Sequence, residues 1–227
     1  MSLPAIILVT GTDTGVGKTV TTAALAAAVQ RRGRTVAVYK PCQSGSAGGD
    51  SDTAEIVRLA GVTTAEAGVV LRQPLAPVAA AAADGAELPP LAVHADRIRE
   101  LVQSHDHVLV EGAGGLLVDL DSYGGTLAGL GALLAPDAAF LLVTRPALGT
   151  LNHTALTLEA LEKRGLGVLG VVIGSWPGNP GTVEQGNRQV LESLPVPLIG
   201  AIGALASELS PADFRGQAAA WLKGLPE

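Results

Sequence analysis

The chain has 227 residues, with 21 acidic and 15 basic side chains and a formal net charge of −6. Hydrophobic residues make up 48% of it and charged residues 16%, which excludes intrinsic disorder, because disordered chains are poor in apolar residues. The acidic balance argues against binding to a nucleic-acid backbone, and the single cysteine, Cys42, excludes an intrachain disulfide framework and fits a reducing compartment.

Short apolar runs alternate along the chain with segments of helical periodicity. Continuous apolar runs of this kind, separated by helices, predict a parallel sheet that is covered on both faces. A Pro- and Ala-rich segment, residues 73–91, predicts a long surface loop. In chain order, the predicted elements are strand 5–9, helix 19–32, strand 35–39, helix 52–60, loop 73–91, helix 94–104, strand 107–111, strand 139–143, helix 152–164, strand 168–173, helix 182–194, strand 197–202 and helix 211–223.

The apolar segments predict no membrane span. The longest apolar zone, residues 127–143, is interrupted by Pro136 and Asp137, whereas a span needs about 20 apolar residues. Residues 1–10 lack a basic segment followed by a cleavage site. We therefore expect a cytoplasmic protein that binds neither membrane nor nucleic acid.

A glycine-rich turn joins the first predicted strand to the first predicted helix. Residues 10–19 read Thr-Gly-Thr-Asp-Thr-Gly-Val-Gly-Lys-Thr. Backbone N–H groups in such a turn point at a ligand, and the helix dipole favours an anion. Lys18 would reach the β- and γ-phosphates of a nucleotide, and the Thr19 hydroxyl would bind Mg²⁺. The general motif places a glycine where this chain has Thr12, so only its second half is matched, and a plain strand–helix turn is the alternative.

Charged residues lie at the ends of two further predicted strands. Glu111 ends strand 107–111 and is followed by Gly-Ala-Gly-Gly, while Lys40 closes strand 35–39. The carboxyl ends of parallel strands share one sheet edge, so both residues should lie near the phosphate loop. There Lys40 could offset developing negative charge, and Glu111 could support Mg²⁺. The alternatives are a surface lysine and a solvated strand-end glutamate.

Asp52 opens the helix 52–60. An aspartate at that place is usually a helix cap or dipole partner, and it can also be an Mg²⁺ ligand. Together these patterns predict one P-loop NTPase-type α/β domain over residues 1–227, with a parallel sheet and helices on both faces.

Four segments together resemble the dethiobiotin synthetase family. They are residues 11–19, residues 40–46 (Lys-Pro-Cys-Gln-Ser-Gly-Ser), residues 110–115 (Val-Glu-Gly-Ala-Gly-Gly) and residues 148–153 (Leu-Gly-Thr-Leu-Asn-His). The resemblance implies a Mg²⁺-dependent cyclo-ligase of biotin biosynthesis that uses ATP or another nucleoside triphosphate. It would close the ureido ring of dethiobiotin from 7,8-diaminononanoate and CO₂ through a phosphorylated carbamate. It also implies a homodimer with the substrate site at the interface.

The resemblance assigns roles to residues of this chain. The implied catalytic residues are Lys40, Lys18 and Thr14. The implied metal ligands are Thr19, Asp52 and Glu111. The implied nucleotide-binding residues are Gly15, Val16, Gly17, Lys18, Thr19, Val20, Asp52, Glu111, Gly112, Ala113 and Gly114. The implied substrate-binding residues are Ser44, Gly149, Thr150, Leu151 and Asn152, of which Ser44 and the catalytic Thr14 would contact the carbamate.

The chain departs from the family pattern in the phosphate loop and where the nucleotide base would lie. The family commonly has Glu in the phosphate loop where this chain has Gly15. It presents Asn-Asp to adenine where this chain has Gly174-Ser175, and it has a Pro-x pair near the base where this chain has Gly203-Ala204. Because Gly174 has no side chain to read a base edge, base selectivity should be weak or supplied by the backbone. We predict that triphosphate contacts dominate nucleotide affinity and that nucleotides other than ATP serve.

Two other classes of protein share this type of loop. Switch ATPases that partition or position partners usually carry a lysine early in the loop, where this chain has residues 12–14, Thr-Asp-Thr. Amide-forming ligases that append a glutamine-hydrolysing domain use a nucleophilic cysteine in that domain. The only cysteine here is Cys42, beside Lys40, which argues against such a domain. A non-catalytic nucleotide-binding module would have no need of Lys40 and Glu111 together.

Overall fold

The apolar runs of the sequence form the strands of one sheet. The computed structural model describes residues 2–49 and 51–227. Every side chain of the central strand is buried, because helices cover both faces. Within the described residues the strands are β1 (Ile6–Gly11), β2 (Val36–Gln43), β3 (Thr64–Val70), β4 (His107–Gly115), β5 (Ala138–Thr144), β6 (Val168–Trp176) and β7 (Leu198–Gly203).

All strand pairs are parallel, and the order across the sheet is β3-β2-β4-β1-β5-β6-β7. Strands β2, β3 and β4 lie on one side of β1, and β5, β6 and β7 lie on the other side. The direction of the chain across the sheet therefore reverses after β4. Ligands bind in such sheets at the carboxyl ends of the strands where the order reverses. Here that point lies between β1 and β4, where Val9 is paired with Glu111.

The helices form two layers around the sheet. Ile7 and Val9 of β1 face a core shared with the first, second and last helices, whereas Ile6 and Leu8 face the opposite core. The first helix is rich in small alanines and is buried along most of its length between the sheet and its neighbours. The helices are α1 (Lys18–Gln30), α2 (Asp52–Ala60), α3 (Pro77–Asp84), α4 (Leu91–Val102), α5 (Leu127–Leu134), α6 (Thr150–Glu162), α7 (Thr182–Glu192) and α8 (Pro211–Trp221).

The predicted fold class is confirmed, and several predicted elements are wrong in detail. The edge strand β3 was not predicted, because its small and half-exposed residues give no continuous apolar run. The segment predicted as a loop, residues 73–91, contains helix α3. This helix begins at Pro77, a residue that is favoured at the first helical position, and continues in an alanine run of high helix propensity. Helix α5 lies in the apolar zone 127–143, for which no helix was predicted.

Two predicted strand ends are also wrong. Lys40 lies inside β2, which continues to Gln43, and Glu111 lies inside β4, which continues to Gly115. Pairing with β3 and β1 extends both strands past Pro41 and Gly112. Among the described residues, no helix combines the length and apolarity needed to cross a membrane.

Candidate active site

The phosphate loop, residues 12–17, connects β1 to α1 and rests on the end of β6. Gly17 precedes α1 with φ of +94°, a conformation that favours glycine. A Cβ at Gly17 would lie 2.5 Å from the carbonyl oxygen of Gly174, and a Cβ at Gly174 would lie 2.1 Å from that of Val16. The close approach of two backbones therefore positions the loop, and it requires glycine on both sides.

Lys18 lies across this loop. Its Nζ donates a hydrogen bond of 3.0 Å to the Asp13 carbonyl, and burial lowers the pKa of Lys18 despite the nearby carboxylate of Glu111. The Asp13 carboxylate accepts from the Thr14 backbone N–H and pairs with Arg145 beyond β5. These two contacts lower the pKa of Asp13. The loop is thus tied to its neighbours by its own charged groups as well as by backbone.

Four side chains from four elements meet beside the loop. Lys40 Nζ lies 2.8 Å from Glu111 Oε1 and 2.7 Å from Asp52 Oδ2. Thr19 Oγ1 lies 2.9 Å from Glu111 Oε1 and 3.1 Å from Asp52 Oδ1. Lys40 is 4% exposed and Glu111 1% exposed. A buried ammonium is therefore clamped between two carboxylates that share the Thr19 hydroxyl.

Lys40 keeps its proton in this arrangement. Burial alone lowers the pKa of Lys40, but the carboxylates of Glu111 and Asp52 outweigh burial and hold the pKa above its ordinary value. Lys40 therefore acts as a fixed positive charge at neutral pH rather than as a base.

The oxygen atoms of Thr19, Asp52 and Glu111 fit a magnesium ion. Hydroxyl and carboxylate oxygens are the ligands that Mg²⁺ prefers, and Mg²⁺ usually takes only one or two protein carboxylates because it keeps several waters. Glu111 Oε2 is buried and has no hydrogen-bond partner among the described residues, so a cation would satisfy it. No group of three or more His, Cys, Asp or Glu side chains able to hold a metal occurs in residues 2–49 and 51–227.

These groups open into a cleft of about 640 Å³. Its walls combine the phosphate loop, the charged cluster and an apolar side made by Leu75 and its neighbours. The predicted site residues that line it are Thr14, Gly15, Gly17, Lys18, Thr19, Val20, Lys40, Ser44, Asp52, Glu111, Gly112, Ala113 and Gly114. The cleft can therefore take a polyanion at the loop and an aliphatic group beside it.

Val16 belongs to the loop without lining the cleft, because its side chain packs into the core at 1% exposure. Sequence reasoning missed several lining residues: Cys42, Gln43, Gly45, Pro74, Leu75, Ala76, Pro77 and Val118. No sequence pattern places residues 74–77 at the cleft. They follow β3, which brings them to this edge of the sheet, and β3 has no apolar run from which it could be predicted.

Residues 149–152 do not line this cleft. They form the start of α6, where the Thr150 side chain is fully buried and its Oγ1 lies 2.6 Å from Thr144 Oγ1. Asn152 is exposed. Nearby Leu148 and Leu156 are 78% and 56% exposed. Gly149 and Asn152 therefore face solvent beside an apolar surface, while Leu151 is half-buried and the Thr150 hydroxyl is turned inward.

Known sequences resemble this chain over most of its length. A family model described as an AAA domain matches residues 6–210. A protein of Mycobacterium avium (strain 104) named ATP-dependent dethiobiotin synthetase BioD is 52% identical over 214 residues, 94% of this chain and 93% of that protein. Proteins of the same name from Streptomyces coelicolor and Rhodococcus jostii are 48% and 47% identical over 219 residues, covering 96% of this chain and 91% and 94% of theirs.

Solved structures share the fold at low identity. The cell division ATPase MinD of Pyrococcus furiosus has a TM-score of 0.56 at 21% identity, covering 99% of this chain and 90% of that chain. The signal recognition particle receptor FtsY of Elizabethkingia anophelis in complex with GDP has a TM-score of 0.60 at 17% identity, and this chain covers 65% of its length. Chloroplast FtsY of Physcomitrella patens has a TM-score of 0.56 at 21% identity, and this chain covers 66% of it. At such identity these structures show the fold alone.

Proposed function

The chain belongs to the ATP-dependent dethiobiotin synthetase family, and we propose that its cleft closes the ureido ring of dethiobiotin from 7,8-diaminononanoate and CO₂, with cleavage of ATP to ADP and phosphate. The observation that carries this proposal is the buried Lys40, held between Glu111 and Asp52 beside the phosphate loop. Residues 1–227 act as one catalytic domain in this proposal, and the enzyme is cytoplasmic.

The reaction takes place in three bond-forming steps. One amine nitrogen attacks CO₂ and loses a proton, which gives a carbamate. A carbamate oxygen then attacks the γ-phosphorus and ADP leaves. The second amine nitrogen attacks the carbamate carbon, loses a proton and expels phosphate with that oxygen, so that the ring closes.

The side chains of the cleft fit the charges of these steps. A carbamate that approaches a triphosphate brings anions together, and positive groups already in place stabilise the transition state without reorganisation. Lys40 and Lys18 both line the cleft and supply such charge. Thr14 and Ser44 line the same cleft, and their hydroxyls would hold the carbamate. The apolar side at Leu75 would pack against the aliphatic chain of the diamine.

Thr19, Asp52 and Glu111 would hold Mg²⁺. When bound, the ion would supply positive charge that offsets the charge of the triphosphate. The protein side of this site is the shared hydroxyl of Thr19 and Glu111 Oε2, which has no hydrogen-bond partner in residues 2–49 and 51–227.

A second copy of the chain completes the substrate site in this proposal. Residues 149–152 at the start of α6 would receive the substrate carboxylate, because the N-terminus of a helix favours an anion. Their position outside the cleft of their own chain and the exposed Leu148 and Leu156 beside them support a homodimer formed by this face. A switch ATPase shares the fold and this type of loop with the chain, but the lysine that such ATPases usually carry early in the loop is replaced here by residues 12–14, Thr-Asp-Thr.

Phosphate release with ATP, Mg²⁺ and bicarbonate, measured with and without 7,8-diaminononanoate, tests the proposal. We expect release that depends on the diamine, together with dethiobiotin identified by mass. Slow release that is indifferent to the diamine would overturn the synthetase assignment.

A further inference from the structure

Gln43 connects the strand that holds Lys40 to the helix that begins at Asp52. It is the last residue of β2, the strand that holds Lys40, and its side chain is buried at 4% exposure. Its Oε1 accepts a 3.0 Å hydrogen bond from the backbone N–H of Asp52, and its Nε2 donates one of 2.9 Å to the carbonyl of Ser44. The amide therefore joins the end of β2 to the first residue of α2.

The Asp52 N–H has no partner within its own helix. The first four N–H groups of any helix lack intrahelical acceptors. Ser51 caps α2 by accepting from the N–H of Ala54, at 3.2 Å. Gln43 supplies the acceptor for Asp52, so α2 has a second cap, which comes from the sheet.

Residues 45–47, which lie between Gln43 and Asp52, are held by other bonds. The backbone N–H groups of Gly45, Ser46 and Ala47 donate to carbonyls of residues 71–73, at 3.0, 3.1 and 3.1 Å. These bonds hold the segment against the turn after β3 and make no contact with Asp52. Within the described residues, Gln43 is thus the partner that fixes the main chain of Asp52 to the strand of Lys40.

We propose that Gln43 is a positioning residue for the magnesium site. It holds the Asp52 backbone where the carboxylate reaches Thr19 Oγ1 and Lys40 Nζ, at 3.1 and 2.7 Å. The inference rests on the proposed role of Asp52 as a metal ligand. Gln43 acts through Asp52, and the amide that orients a ligand tunes metal affinity as other outer partners do.

Gln43→Met tests this inference, because methionine keeps the length and removes both hydrogen bonds. ADP binding is measured by calorimetry at increasing Mg²⁺ concentration, and separately with no Mg²⁺. Loss of the hydrogen bond to the Asp52 N–H predicts that the Mg²⁺ concentration for half-maximal enhancement of ADP binding rises about three- to tenfold. ADP affinity without Mg²⁺ should stay unchanged. The control variant Gln103→Met should behave as the parent protein, because Gln103 is exposed and lies before the start of β4, whereas the cleft lies at the carboxyl ends of the strands.

Asp52→Asn and the double variant separate the inference from the proposed function. We expect Asp52→Asn to raise the Mg²⁺ requirement and Gln43→Met to add nothing in that background. An effect of Asp52→Asn with none of Gln43→Met would overturn the inference and leave the metal site standing. No effect of Asp52→Asn would overturn both.

Binding of ADP without Mg²⁺ also identifies a misfolded sample. If Gln43→Met loses that binding, Gln43→Glu replaces it, because a carboxylate still accepts from the Asp52 N–H. Gln43→Glu should then need no more Mg²⁺ than the parent protein, and a tenfold higher requirement would contradict the role of the acceptor.

Discussion

Replacing Gly174 with alanine should displace the phosphate loop and weaken nucleotide binding. The added Cβ would lie 2.1 Å from the Val16 carbonyl oxygen and 2.7 Å from Val143 Cγ1. Real Cβ contacts essentially never fall under 3.0 Å. The atom at 2.1 Å is backbone, so no side-chain rotation relieves the contact, and the loop and the strand end must separate.

The size of the effect follows from that separation. A loop shift of about 1 Å is enough to cost about 100-fold when it misplaces groups around a reacting centre. Overpacking of this kind lowers the free energy of unfolding by about 1–3 kcal/mol. We therefore expect kcat/KM for ATP to fall at least about tenfold, while the sheet, which lies behind the loop, stays folded. Gly174→Asn, which restores the residue common in the family, should be no better than alanine.

Steady-state kinetics and urea unfolding of Gly174→Ala check this expectation. Gly178→Ala is the matched control, because a Cβ there has no neighbour within 4 Å. Unchanged ATP affinity and turnover in Gly174→Ala would refute the conclusion that glycine contact positions the loop.

Three further predictions concern Lys40, the nucleotide base and α6. Lys40→Met should abolish most turnover and, because it leaves the buried Glu111 unpaired, lower the free energy of unfolding by about 3 kcal/mol in urea. The pKa of Lys40 is raised in the folded protein. The difference in free energy of unfolding between parent and variant should therefore be constant below the ordinary pKa of 10.5 and shrink as pH rises through the folded pKa. A difference that shrinks between pH 7 and 9 would contradict the pairing. ATP, GTP, CTP and UTP should give comparable kcat/KM, and strong preference for ATP would show that the base is read without a Gly174 side chain. Leu156→Asp should convert a dimer to a monomer in light scattering, because it buries a charge in the proposed interface, whereas an unchanged mass would argue against α6 as that interface.

Local patterns predicted the parts of the site that are continuous in sequence. The phosphate loop needs a strand, closely spaced glycines, Lys-Thr and a helix in that order, and these are neighbours in the chain. Apolar runs such as residues 139–143 predicted buried parallel strands, because a strand covered on both faces is hydrophobic at successive positions. The shared sheet edge of Lys40 and Glu111 also followed, since all parallel strands end on one side.

Local patterns did not predict elements whose stability comes from their neighbours. The edge strand β3 has small, half-exposed residues and depends on pairing with β2. Because β3 was missed, residues 74–77 could not be placed at the cleft.

The amino-acid sequence by itself determined the parallel-sheet fold class, most of the strands and helices, the phosphate loop and the sheet edge where the cleft lies, because these depend on periodicity and on residues close together in the chain. Tertiary structure alone decided which distant groups touch. The strand order brings Glu111 to Lys40, the turn after β3 holds the segment that precedes Asp52, and Gly174 meets Val16 across the end of the sheet. Such contacts join residues far apart in sequence, and their distances depend on how strands pair and helices pack, which no local pattern records.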